Sequence, residues 1–187
     1  MMIGKAIALL IIIITITIAG CTSNEENINS NNTGSLQLKS REFSNGGNLP
    51  VQYTAQGKNI SPPLSWTSIP TGTKCFAITL KDPDSPNGVF YHWIIFNIPP
   101  STTKLSDAVP NTGILENGEK QGVNDFGTVG YSGPNPPSGT HRYTFTLYAL
   151  NNLLNLPAGV SKEVFLKAIK PIILSQNSLI TTYSSHP

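Results

Sequence analysis

The sequence is poor in charge. Only 12% of its 187 residues are Asp, Glu, Lys or Arg, and they sum to a formal +2 at neutral pH. That is about half the ~25% usual for soluble domains. No basic stripe is present, so the chain lacks the clustered cations that neutralise phosphate backbones, and nucleic acid is not expected as a partner. Cysteine is scarce as well. With Cys21 and Cys75 alone, no disulfide framework can staple the fold. No solenoid period repeats, and 15 prolines and 16 glycines break the chain too often for a helical bundle or coiled coil. Histidine occurs three times, at positions 92, 141 and 186. The length is that of one domain with a real core.

What is present begins with an address. Lys5 precedes a nearly pure apolar run, residues 6–18, and then Ile18-Ala19-Gly20-Cys21. A basic start, a short apolar middle and small residues before a cut describe a secretory signal. A cysteine at the cut resembles a lipobox, with Ile18 where leucine is usual. Residues 1–20 are therefore expected as a signal peptide and Cys21 as a lipidated N-terminus. An uncleaved anchor is the alternative, and either reading puts the domain on the extracytoplasmic side of the cell membrane. Residues 21–35 are polar and Asn-rich, a flexible tether. Residues 36–187 form the domain. With Cys21 lipidated, Cys75 stands alone in an apolar strand-like run and reads as a buried, inert thiol.

The body reads as mostly β. Residues 36–43 form a first strand ended by Asn45-Gly46-Gly47, and Leu64-Ser65-Trp66 is a short extended piece. Residues 74–81 and 91–98 are apolar at consecutive positions, the mark of central strands with both faces covered. Residues 141–150 alternate, with Tyr143, Phe145 and Leu147 on one face. Residues 161–170 are the one good helix, with Ser161 as cap, Val164, Phe165, Ala168 and Ile169 on one face, and Pro171 as its stop. Residues 172–183 favour a strand. The stretch 101–137 has little periodicity, and so long a loop is usually functional.

Two segments concentrate the chemistry. In Asp82-Pro83-Asp84-Ser85-Pro86, prolines stiffen a strand exit that holds two carboxylates. His92 opens the next strand, and a hairpin would bring it near Asp82 and Asp84, where a carboxylate fixes an imidazole's tautomer. In the run from Gly130 to Tyr143, a Pro- and Gly-rich loop leads into His141. His141 and Tyr143 share a strand face, while Arg142 points away from them towards a structural partner. Taken separately, these residues are also ordinary turn and core residues. His186, in the tail, carries no assignment.

Four stretches in order carry a resemblance: Gly57-Lys-Asn-Ile-Ser-Pro-Pro-Leu-Ser-Trp66, Asp82-Pro-Asp-Ser-Pro86 with Tyr91-His-Trp-Ile-Ile-Phe-Asn-Ile-Pro-Pro100, Gln121-Gly-Val-Asn-Asp-Phe-Gly127, and Gly130 through Tyr143. They resemble the phosphatidylethanolamine-binding protein family, in its bacterial and archaeal Raf-kinase-inhibitor-like (YbhB/YbcL) branch. The likeness spans residues 36–183. It implies a central antiparallel sheet packed on a smaller second sheet, with few peripheral helices. It also implies a small pocket for phosphate-like groups, such as a lipid head group. Asp82, His92, His141 and Tyr143 match the pocket. Asp84, Pro86, Gly133 and Pro137 match the loops that shape it, and Tyr183 survives from the C-terminal segment. The chain departs from the family at Ala55 and Asn135, where cysteine is common, and at Thr181-Thr-Tyr-Ser-Ser185, where Gly-Thr-Tyr and a charged pair are usual.

The resemblance implies a binding module without cofactor, metal or catalytic residues, with regulation of a protein target as an expected role. A protease or kinase inhibitor working through another surface is the second reading. A metal-dependent hydrolase built on the two carboxylates and two imidazoles is the third. If protonated His92 and His141 donate to an anion, binding should tighten at mildly acidic pH.

Overall fold

The computed structural model describes residues 35–184. The expected signal peptide, Cys21, nearly all of the tether and His186 lie outside the described residues. Nine strands and one α-helix follow in order: β1 (Gln37–Lys39), β2 (Gly47–Asn48), β3 (Leu64–Thr67), β4 (Cys75–Asp82), β5 (Phe90–Ile98), β6 (Lys104–Leu105), β7 (Lys120–Gln121), β8 (Thr140–Leu150), α1 (Lys162–Ile169) and β9 (Ile173–Ser184). A six-stranded sheet runs β2-β9-β8-β4-β5-β7, and a three-stranded sheet runs β1-β3-β6. The protein is mostly β with two sheets, as its turn-rich sequence implies.

The central strands are the ones whose sequences leave no polar face. Seven of the eight residues of β4 are buried. It pairs antiparallel with β5 on one side and β8 on the other. One side of the large sheet packs on the small sheet through Leu38, Trp66, Ile78, Leu80, Trp93, Ile95, Tyr143 and Phe145. The other side packs Ala77, Ile94 and Phe96 against Phe165 and Ile169 of α1. Three layers result, each covering an apolar face that water would otherwise meet.

Several boundaries differ from the sequence reading. The first strand is only three residues long, because the Ser40 hydroxyl accepts from the Glu42 amide and turns the chain. Gly46 takes a φ of 80° in the following turn. Gly47 and Asn48 then pair parallel with Thr181 and Thr182, so one edge of the antiparallel sheet is parallel. In α1 Ser161 caps as expected, but Val164 is 49% exposed, and the buried face is Phe165 and Ile169. Pro171 sits within a 3-10 turn, residues 170–172, because proline is tolerated at the start of such a turn. Residues 173–184 form the long partner of β8, with His141 opposite Tyr183.

One irregularity positions the site. Leu80 pairs with Trp93 and Lys81 with Tyr91, which leaves His92 as the extra residue of a β-bulge. Strict alternation would put His92 and Trp93 on opposite faces. The bulge breaks that rule. Trp93 joins the core between the sheets, Tyr91 packs towards α1, and His92 is free to turn to the end of the sheet.

Candidate functional site

At that end of the sheet is a cavity of about 220 Å³. Asp82, Pro86, His92, Pro137, His141 and Tyr143 line it, together with Ser85, Asn87, Phe90, Phe126, Asn135 and Pro136. Each wall has a separate origin. β4 ends in Asp82, β5 contributes Phe90 and the bulged His92, and β8 opens with His141 and Tyr143 on one face. The loops after β4 and before β8 close the sides.

The partners differ from those the hairpin suggests. Asp82 Oδ2 accepts from His141 Nδ1 at 2.7 Å, and Asp82 Oδ1 accepts from the Asp84 amide at 2.8 Å. Both carboxylate oxygens are therefore engaged within the protein. His92 instead donates from Nδ1 to the Ser132 carbonyl at 2.8 Å, and the Ser132 amide returns a bond to the His92 carbonyl at 3.0 Å. Asp84 lies outside the cavity lining and grips Arg142. Its Oδ2 accepts from the Arg142 amide at 2.8 Å and from Nε at 2.9 Å, and its Oδ1 accepts from Nη2 at 2.6 Å. These bonds hold the Asp84 carboxyl down at about 2. The β4–β5 hairpin does bring His92 to the same cavity as Asp82, but the carboxylates bond elsewhere because β4 has a second neighbour. β8 delivers His141 and Arg142 to opposite faces beside the same two aspartates.

A carbonyl can only accept, so the proton of neutral His92 sits on Nδ1. Its Nε2 is then the ring nitrogen left for the cavity. Burial pushes the His92 imidazole below its ordinary value, against the Ser132 carbonyl and the Asp82 charge, which raise it. The bond to Asp82 likewise occupies His141 Nδ1 and leaves its Nε2. Tyr143 is fully buried, and its hydroxyl makes no well-formed hydrogen bond within the protein. Burial first, and then the charge of Asp82 and the hydroxyl's contact with that carboxylate, push the phenol well above its ordinary value. It stays a donor across the physiological range. Phe126 contacts both Phe90 and His92 edge-on and is 51% exposed, which makes an aromatic rim.

Gly133 and Tyr183 do not line the cavity. Gly133 donates its amide to Asn59 Oδ1 at 2.7 Å, and a Cβ there would stand 2.6 Å from the Tyr53 carbonyl oxygen. It fastens the loop that carries Ser132. Asn59 belongs to the Gly57–Trp66 stretch, which thereby serves the loop and not the cavity. Tyr183 donates its hydroxyl to Gln56 Oε1 and lines a separate hollow with Asn48. Of the departures in that segment, Thr181 lies within β9 and Ser184 lines the same hollow, while residue 185 lies outside the described residues. Among the lining residues that spacing did not single out, Phe126 and Asn135 stood only within the quoted stretches, and Phe90 belongs to a strand face that the bulge displaces.

Among the described residues no three His, Cys, Asp or Glu side chains approach closely enough to hold a metal ion. Cys75 is buried, and burial pushes its thiol up to about 11, which leaves it a poor nucleophile. What the cavity offers a ligand is a phenol donor without a well-formed bond, two imidazole nitrogens that accept when neutral and donate when charged, and an aromatic lip.

The phosphatidylethanolamine-binding protein family model matches residues 39–184. A UPF0098 protein of Methanothermobacter thermautotrophicus is 49% identical over 148 residues, covering 79% of this chain and 98% of its own. Another, from Archaeoglobus fulgidus, is 40% identical over 182 residues, 97% of this chain and 60% of its own. The crystal structure of E. coli YbcL, described as a member of the mammalian PEBP family, superposes with a TM-score of 0.77 at 31% identity, over 81% of this chain and 99% of that one. A Chlamydia trachomatis homolog gives 0.74 at 36%, with the same coverage.

Proposed function

The chain belongs to the phosphatidylethanolamine-binding protein family, and on that footing we propose that its cavity binds the phosphoryl group of a small ligand or lipid head group, without turning it over. The observation that carries this reading is the buried hydroxyl of Tyr143, which faces Asp82 without a well-formed hydrogen bond, beside two imidazoles whose Nδ1 protons are already committed. A buried donor with no well-formed bond costs about 1–3 kcal/mol. A phosphoryl oxygen would meet it. With both imidazoles neutral, Nε2 of each is an acceptor and repels a bare dianion. The anion therefore arrives with protons, or His92 and His141 take them up and become donors. Binding is coupled to proton uptake and tightens towards mildly acidic pH.

The histidine ring NMR signals of the purified chain test this. Titrated with inorganic phosphate and with phosphoethanolamine, His92 and His141 should shift saturably, and His141→Ala should abolish the response. No shift at millimolar ligand, or an affinity flat from about pH 5 to 8, would overturn the reading.

We also propose that the domain is tethered through a lipidated Cys21 on the extracytoplasmic side of the cell membrane. The support is the sequence alone: a basic start, the apolar run 6–18 and a small-residue site before the cysteine. The mature N-terminal peptide should begin at an acylated Cys21, and Cys21→Ser should retain residues 1–20. A mature tryptic peptide beginning at Met1 would exclude cleavage.

A further inference from the structure

A larger hollow of about 610 Å³ opens away from the histidines, along the chain between β6 and β7. Its walls are apolar, from Leu105, Val109, Ile114 and Leu115. Its charged lining is entirely acidic: Asp107, Glu116 and Glu119, with no Lys, Arg or His. We propose that this groove is a docking site for a lysine side chain carried on an apolar segment of a partner protein.

The second observation, independent of the acidic cluster, is Glu119. This residue is 3% exposed, and its Oε2 is buried without a hydrogen-bond partner. Its Oε1 holds only a long bond from Asn117 Nδ2 at 3.4 Å. The adjacent Lys120 does not neutralise it, because its Nζ donates to the Leu156 carbonyl at 2.8 Å. Among the described residues no ion pair involves Asp107, Glu116 or Glu119. A buried carboxylate oxygen left without a donor is costly, and a chain of low total charge has placed three acidic groups in one groove.

The chemistry of the occupant follows from the donor set. The carboxylates do not converge, since no three acidic or histidine side chains lie close enough to share a metal ion among the described residues. The cation is therefore organic. Only one oxygen of Glu119 is free, which suits the compact ammonium of lysine better than the two-pronged guanidinium of arginine. Apolar walls before a buried acceptor match the lysine stem. The volume exceeds what a single side chain fills, which favours a short peptide segment over a free amine. The groove is also held open in advance. The Ala108 and Val109 amides bond to Ser61, and Gln121 Nε2 donates to the carbonyls of Pro110 and Thr112 at 2.7 and 2.8 Å. The frame needs little further ordering; only the Glu119 side chain, whose Oε2 is closed to solvent, has to turn into the groove.

The test uses the whole chain and three probes: acetyl-Leu-Lys-Leu-amide, the same peptide with norleucine for lysine, and free 1,5-diaminopentane. Backbone amide NMR shifts at Ile114, Gly118 and Glu119 report occupancy. The lysine peptide should saturate at or below about 1 mM and weaken at high salt. Glu119→Gln should weaken it roughly ten-fold or more, since a hydrogen bond to a charged group is lost. Asp107→Asn, at an exposed position that leaves the fold intact, should weaken it by a smaller factor. Equal binding of the norleucine peptide, equal binding of the diamine, no saturation at about 10 mM, or unchanged affinity in both variants would each overturn the proposal. The shifts of His92 and His141 should stay silent throughout, which separates this groove from the anion cavity.

Discussion

His92 shows how much one side chain can carry. Its Nδ1 proton is spoken for by a carbonyl, and its burial opposes a second proton. Because the folded imidazole lies below its ordinary value, the unfolded chain takes up a proton first as the pH falls. Stability is therefore full at neutral pH and declines as the pH drops through about 6.5. His92→Asn, whose amide can still donate to Ser132, should flatten this decline in a series of melting temperatures between about pH 5 and 7. Gly133 makes a different point. A methyl group there meets backbone, not a flexible side-chain tip. Gly133→Ala should cost about 3 kcal/mol in urea unfolding and shift the Ser132 loop, moving the His92 ring signals with it.

At the scale of elements, the bulge in β5 and the pairing of β8 with β4 do the positioning. Asp82 and His141 are 59 residues apart in the chain and 2.7 Å apart in space. Helix α1 serves the opposite face of the sheet. Phe165 fills the core there and contacts Phe96. Phe165→Ala should cost about 3–5 kcal/mol through the cavity it leaves. Phosphate affinity, measured by calorimetry on the folded variant, should be unchanged, because the sheet separates the two sites. A parallel loss of affinity would mean that the layers are coupled.

For the whole molecule, the histidine-lined cavity and the acidic groove are built from different residues, and the ligands proposed for them carry opposite charges. A ligand that binds only the folded state stabilises it by mass action. Phosphate should raise the melting temperature more at about pH 6 than at pH 8, since proton uptake accompanies it. The lysine peptide should raise it without that dependence on the histidines, and the two increments should add, because no residue is shared between the two linings.

Much of this was legible in the linear chain. Apolar residues at consecutive positions, 75–78 and 93–96, mark β4 and β5 as central strands, because only a strand covered on both faces can afford such a run. Ser161 marks the start of α1, and the order of the Pro-, Gly- and His-bearing stretches points to the family. The sequence by itself therefore determined the strand-rich class, the family and half of the residues around the cavity. Only the tertiary structure decided who pairs with whom. The bulge at His92 violates the period of two on which strand reading depends, so no pattern could reveal which way the ring turns. The exchange of partners, Asp82 to His141 and Asp84 to Arg142, follows from β4 having two neighbours, a fact of sheet order that is not written locally. Glu119 illustrates the same limit. In the sequence it is an ordinary turn residue after Asn117-Gly118. Its buried oxygen without a donor exists only once the loop has closed over it.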